Sequence, residues 1–140
     1  MDHVETLLGQ LTLIQKVSFL SGRDFWRTFA VPELGIRGVT MTDGPHGVRI
    51  GNETLEGKKS GTATAFPTGI ALASTWDVDL MTRVGVALAE EARAAACDVL
   101  LGPCVNLLRT PVAGRNFETF SEDPFLAGKL GAAYVRGVQS

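Results

Sequence analysis

Leu13, Val17 and Leu20 recur at helical spacing behind Thr12 and Gln15, which form a T-x-x-Q capping box. This predicts a helix near 12–21, with Gly22 as its C′ residue. Between Gly22 and Arg37 the periodicity dissolves. Phe25, Trp26 and Phe29 lie among Arg23, Asp24 and Arg27, and Pro32 and Gly35 break any run. Gly38-Val39-Thr40-Met41-Thr42 alternates and is β-branched, so it predicts a strand, and Asp43-Gly44-Pro45-His46-Gly47 stops it. Residues 50–64, with Gly51, Asn52, Gly57, Lys58, Lys59, Ser60 and Gly61, read as an exposed excursion. A second strand is predicted near Gly69–Ala73. Asp77 caps a long helix to about Ala96, with an apolar stripe of Leu80, Val84, Leu88, Ala92 and Ala95. Asp98-Val99-Leu100-Leu101 predicts a third strand, ended by Gly102-Pro103. A loop of about 20 residues follows, long enough to suggest function. Asp123 as N-cap and Pro124 at the first helical position then open a last helix, to about Val138.

Short strands separated by helices imply parallel βα units with helices on both faces of the sheet. Three strands do not close a sheet. The chain is either a small open α/β sheet or the start of something larger. A complete βα barrel needs about 250 residues and eight strands, and this chain has 140 residues.

With 45% hydrophobic and 20% charged residues, the composition is that of a globular domain and excludes a disordered chain. The 16 Gly and 6 Pro lack a G-X-Y period, which excludes collagen. A net charge of -2 offers no basic field for a phosphate backbone, so no nucleic-acid partner is expected. Apolar runs are too short for a bilayer span, so no membrane partner is expected either. Met1-Asp2-His3-Val4-Glu5 has no apolar h-region, which predicts no secretory signal and a cytoplasmic location. Cys97 and Cys104 match no zinc motif and read as small buried hydrophobes.

In parallel α/β folds the functional groups lie just past the C-terminal ends of strands. Asp43 meets that condition. Held by Gly44-Pro45, its carboxylate could accept two hydroxyl hydrogen bonds, each worth about 1.5–3 kcal/mol when buried. Spacing alone favours the plainer reading, an Asx-turn in which Asp43 caps its own backbone. The second candidate is the loop 106–124. There Arg115 either pairs with Glu118 to order the loop or aims its donors at a polar ligand, and the residues support both equally. His46 reads as a loop histidine, because the Gly-x-x-Gly spacing around it lacks the Lys-Ser/Thr of a P-loop. Trp26 could stack on a sugar ring but reads as packing. No Ser-His-Asp arrangement and no histidine at metal-ligand spacing stands out. Asp43 and Glu118 could form the carboxylate pair of a glycoside hydrolase if the first and third strands bring them together.

Several longer motifs carry a resemblance. Leu11 to Gly22, Phe25-Trp26-Arg27 and Val31-Pro32-Glu33-Leu34-Gly35-Ile36 look like the opening of family 3 glycoside hydrolases of the β-glucosidase type. Thr42-Asp43-Gly44-Pro45-His46-Gly47-Val48-Arg49 resembles that family's TDGP-x-G-[VLA]-R segment. Ala65-Phe66-Pro67 with Ala73 to Asp77 resembles its second-strand region. Leu101-Gly102-Pro103, Gly114 to Glu118 and Ser121 to Pro124 resemble its third-strand loop. The match runs in order over nearly the whole chain.

The resemblance implies an α/β fold of the (β/α)8 TIM type. Residues 1–140 would be the incomplete N-terminal part of the barrel domain, about its first three βα units. It implies retaining hydrolysis of terminal β-linked glucosyl residues through a covalent glycosyl-enzyme, with no cofactor and no metal. Mapped onto this chain, Asp43, Arg49 and Arg115 bind the sugar, and Glu118 becomes the ordering partner of Arg115. No catalytic residue falls in the chain. The family's Lys-His pair is expected just past Ser140, its nucleophile further along the barrel and its acid/base glutamate in a following domain. This argues against the Asp43/Glu118 pair. His46 stands where Asn is common in the family, and Ile14-Gln15 where an acidic pair is usual. The expected partners are a β-glucoside or related oligosaccharide and the rest of the enzyme chain, which completes the barrel. Alone, the chain is expected to be inactive and to expose a barrel interior and an unpaired edge. The rival readings are a truncated, non-catalytic sugar- or partner-binding module, and a gene fragment with no independent role.

Overall fold

A computed structural model describes residues 3–50 and 61–140. Among them the elements run α1 (His3–Gln10), α2 (Leu13–Ser18), β1 (Met41–Asp43), α3 (Gly69–Ala73), α4 (Val78–Ala94), β2 (Val99–Leu101) and α5 (Pro124–Val138). Short 3-10 turns lie at Pro32–Leu34 and Asn116–Glu118.

The helix starts follow from side-chain chemistry. The Gln15 N–H donates to Thr12 Oγ1 at 3.2 Å and the Thr12 N–H donates to Gln15 Oε1 at 2.9 Å, so the capping box at α2 forms. Asp77 Oδ1 accepts from the Leu80 N–H at 2.8 Å, and Asp123 accepts from the N–H groups of Phe125 and Leu126. Each cap satisfies donors that a helix start leaves without partners.

Several expectations are corrected. The first helix ends at Ser18, capped by Phe19, and Gly22 is not its C′ residue. Gly22 is needed for a close turn instead, since a Cβ there would lie 2.5 Å from the Asp24 carbonyl oxygen. Its stripe of Leu13, Val17 and Leu20 is left exposed at 76%, 56% and 87%. Helix α1 was not expected from the sequence. Gly69–Ala73 is a helix and not a strand, because Gly69, Leu72 and Ala73 are its buried positions, at helical spacing. The described residues therefore contain two named strands instead of three. Most of the polar excursion, residues 51–60, lies outside the described residues.

The strands pair in parallel, with Met41 opposite Val99, Thr42 opposite Leu100 and Asp43 opposite Leu101. Asp98 fastens the start of the pair. Its Oδ2 accepts from the Thr40 N–H at 2.8 Å, and its Oδ1 pairs with Arg37 Nη1 at 2.5 Å. The core lies between the helices, where Leu88 and Leu130 are fully buried with Met81 and Tyr134. Two glycines set the spacing of α4 and α5. A Cβ on Gly137 would lie 2.2 Å from the Thr82 carbonyl oxygen, and one on Gly85 would lie 2.5 Å from that of Tyr134. The result is a mixed α/β arrangement whose small parallel sheet has helices packed beside it.

Candidate functional site

The residues Thr42–Arg49 leave the C-terminal end of β1 and turn back on themselves. Thr42 Oγ1 donates to the Arg49 carbonyl oxygen at 2.7 Å, and the Arg49 N–H donates to that of Asp43 at 2.9 Å. These bonds close the base of the turn. Two glycines let it fold this tightly. Gly44 has φ +147°, and a Cβ there would lie 2.1 Å from the Gly47 carbonyl oxygen. Gly47 has φ +153°, and a Cβ there would lie 2.7 Å from the Thr64 carbonyl oxygen. Only glycine occupies such positions without strain.

The turn aims Asp43 outward. Its Oδ1 accepts from the Gly44 N–H at 3.1 Å, so part of the local-capping reading is realised. Its Oδ2 stands 3.9 Å from Arg49 Nη1, and the side chain remains 47% exposed. One carboxylate edge is thus available to a ligand.

The loop after β2 brings up the second group. The Glu118 side chain is buried and forms an ion pair with the largely exposed Arg115. Hydrogen bonding to Glu118 raises the Arg115 pKa above its ordinary value, followed by the charges of Glu118 and, more weakly, of Cys104 and Asp43. The pair forms through Arg115 Nε, and the rest of the guanidinium stays exposed. His46 packs edge-on against Phe117, with ring centroids 5.8 Å apart. Its Nδ1 is buried without a hydrogen-bond partner in the structure.

Asp43, His46, Arg49, Thr64, Phe117 and Glu118 line one open cleft of about 420 Å³. That lies within the range of about 300–1,000 Å³ usual for small-molecule sites. Arg115 is not a lining residue itself and joins the cleft through Glu118. Two predicted site residues, Asp43 and Arg49, are therefore brought together, with the third beside them. Sequence reasoning missed Thr64 and Phe117. Phe117 sits inside the G-R-N-F-E motif and could have been found there, whereas Thr64 carries no local signal. Trp26 does not line this cleft. Among the described residues, no group of three or more His, Cys, Asp or Glu could hold a metal ion. No described helix is long and apolar enough to cross a membrane.

A cleft at the carboxyl end of a parallel strand, edged by a carboxylate and a guanidinium, lies where parallel α/β proteins carry their functional groups. The family model "Glycosyl hydrolase family 3 N terminal domain" matches residues 34–140, and the chain belongs to glycosyl hydrolase family 3. Thermostable beta-glucosidase B of Acetivibrio thermocellus is 47% identical, over 98% of this chain and 18% of its own length. Beta-glucosidase B of Emericella nidulans is 48% identical, over 98% of this chain and 16% of its own length. The solved structure of the Kluyveromyces marxianus beta-glucosidase in complex with glucose superposes with a TM-score of 0.89 at 42% identity. It covers 99% of this chain and 16% of that one. The chain thus spans less than a fifth of the length of these relatives.

Proposed function

We propose that this chain is the opening part of a (β/α)8 barrel in a retaining β-glucosidase-like enzyme that cleaves terminal β-linked glucosyl residues. Its share of the work is to hold the sugar. Asp43 accepts hydrogen bonds from sugar hydroxyls, and Arg49 and Arg115 donate to the same ring. No catalytic carboxylate lies in this chain, so the nucleophile and the acid/base come from the rest of the enzyme, which also completes the barrel. Glu118 stays the partner of Arg115. Its commitment to that pair speaks against a second chemical role.

The observation that carries the reading is the cleft at the end of β1, with the Asp43 carboxylate half-exposed beside Arg49. The Kluyveromyces marxianus relative bound to glucose supports a sugar as the occupant. Contacts that strengthen as the ring flattens toward the transition state raise rate as well as affinity. Binding groups alone are then a real contribution to catalysis.

Glucose titration of the chain followed by NMR tests this. Asp43→Asn is expected to weaken binding about tenfold, the loss of one charged hydrogen bond. Unchanged affinity overturns the assignment. Turnover of an aryl β-glucoside by the chain alone overturns the placement of the chemistry elsewhere. Binding in a chain that no partner polypeptide converts to turnover favours a sugar-binding module instead.

A further inference from the structure

Beside the Asp43 turn, the cleft is lined by a strip of chain with no helix or strand of its own, running from Gly61 to Pro67. Ala63, Thr64 and Ala65 face the cleft. The strip lies hard against the turn, because the Thr64 carbonyl oxygen occupies the space a Cβ on Gly47 would need. An irregular strip so close to the ligand groups needs outside bonds to keep its place. The Phe66 N–H donates to the His46 carbonyl oxygen at 2.9 Å, which ties it to the turn itself. The Thr64 N–H donates to both carboxylate oxygens of Glu91, at 3.2 and 3.1 Å. Glu91 belongs to α4, one residue before buried Ala92 and three after fully buried Leu88. Its backbone is therefore fixed by the core.

We propose that Glu91 is a positioning residue for the sugar cleft: from α4 it clamps the Thr64 amide and holds the irregular strip in place against the Asp43 turn. This rests on the sugar-holding reading of the cleft. A charged acceptor makes the stronger kind of hydrogen bond, and both oxygens converge on one N–H. The clamp joins a rigid helix to a wall that has no regular structure to hold it. Losing it leaves Asp43 and Arg49 in place and loosens the strip at Thr64, with the Phe66 bond to the turn as its remaining tie.

The test combines glucose titration with amide hydrogen exchange on the wild-type chain and two variants. In Glu91→Ala, Thr64 is expected to exchange about tenfold faster and glucose to bind about tenfold more weakly. In Glu91→Gln, which keeps one acceptor oxygen, most of both effects should be restored. A lowered urea midpoint with unchanged glucose affinity in the folded variant is what a merely structural Glu91 gives, and it overturns the proposal. If Glu91→Ala does not fold, Glu91→Gln and Glu91→Asp decide, the latter being expected to withdraw the acceptor by one methylene and to weaken binding. If the wild-type chain does not bind glucose, the sugar reading falls. Thr64 exchange then decides the clamp by itself: unchanged protection in Glu91→Ala overturns it.

Discussion

Asp98 carries more structure than its surface position suggests. The Thr40 N–H and the Arg37 guanidinium both stabilise its charged form, so its pKa falls below the ordinary value of 3.8. In the unfolded chain both contacts vanish, and the unfolded state binds the proton more readily. The stabilisation is therefore complete above the unfolded value and is lost as pH falls through the lower folded one. Asp98→Asn is expected to lower the urea midpoint near neutral pH. The gap to wild type should narrow as pH falls below 3.8 and close once the pH is below the lowered folded value, where the Asp98 carboxyl is neutral in both states. A gap that persists in acid would mean that the Asp98 charge is not what holds the strands. The same kind of bond, a side-chain carboxylate taking a backbone N–H, recurs at Asp77, Asp123 and Glu91. The first two were legible in the sequence, because Asp before an apolar-periodic run has one obvious use. Glu91 was not, because its partner lies 27 residues away on a segment without pattern.

Between elements, the contact of α4 with α5 shows how little room glycine leaves. Gly137→Ala puts a methyl group 2.2 Å from a backbone oxygen that cannot rotate away. Separating the helices to admit it is expected to cost about 1–3 kcal/mol. Gly128→Ala, on the same helix with nothing within 4 Å of the new methyl, should instead be neutral or stabilising by up to about 1 kcal/mol. Urea denaturation of the two variants reads the contrast, and equal midpoints would sink it. Such spacing was invisible in the stripe of Leu80, Val84, Leu88, Ala92 and Ala95, which identified the helix correctly. The stripe says which face is buried and not how close the neighbour comes. Gly69–Ala73 was misread because a five-residue apolar run fits either period. Only the partner decides: Gly69 is pressed against the Glu118 carbonyl oxygen, 2.4 Å from where its Cβ would be. The opposite error occurred at Leu13, Val17 and Leu20, where a good stripe covers nothing among the described residues. The Asp43 turn was legible because its residue types have few other uses at a strand end. That Glu118 would be buried while Arg115 stays exposed depended on the folded loop and could not be read.

For the molecule as a whole, the sheet is the weak place. Two strands of three residues each do not stand alone. Val99 and Leu101 lie 40% and 46% exposed on the face turned from the core, while Leu100 between them packs inward. An open groove of about 680 Å³ on α5, lined by apolar residues such as Val105, Leu107 and Val135, adds uncovered surface. Unpaired edges and apolar patches drive association. Sedimentation of the chain by itself is expected to show concentration-dependent self-association, reduced by Leu101→Lys. A monodisperse chain at high concentration would count against these surfaces as drivers of association.

The strand pairing has a consequence for time. Thr40 and Asp98 meet across 58 residues of chain. During synthesis at about 5–20 residues per second, β1 waits several seconds for the strand that will hold it. Helices form in about a microsecond once their residues are free, so α4 is free to form while the Asp43 turn still has no floor. The cleft is accordingly one of the last features to appear, and it inherits the slowness of every contact that spans the chain.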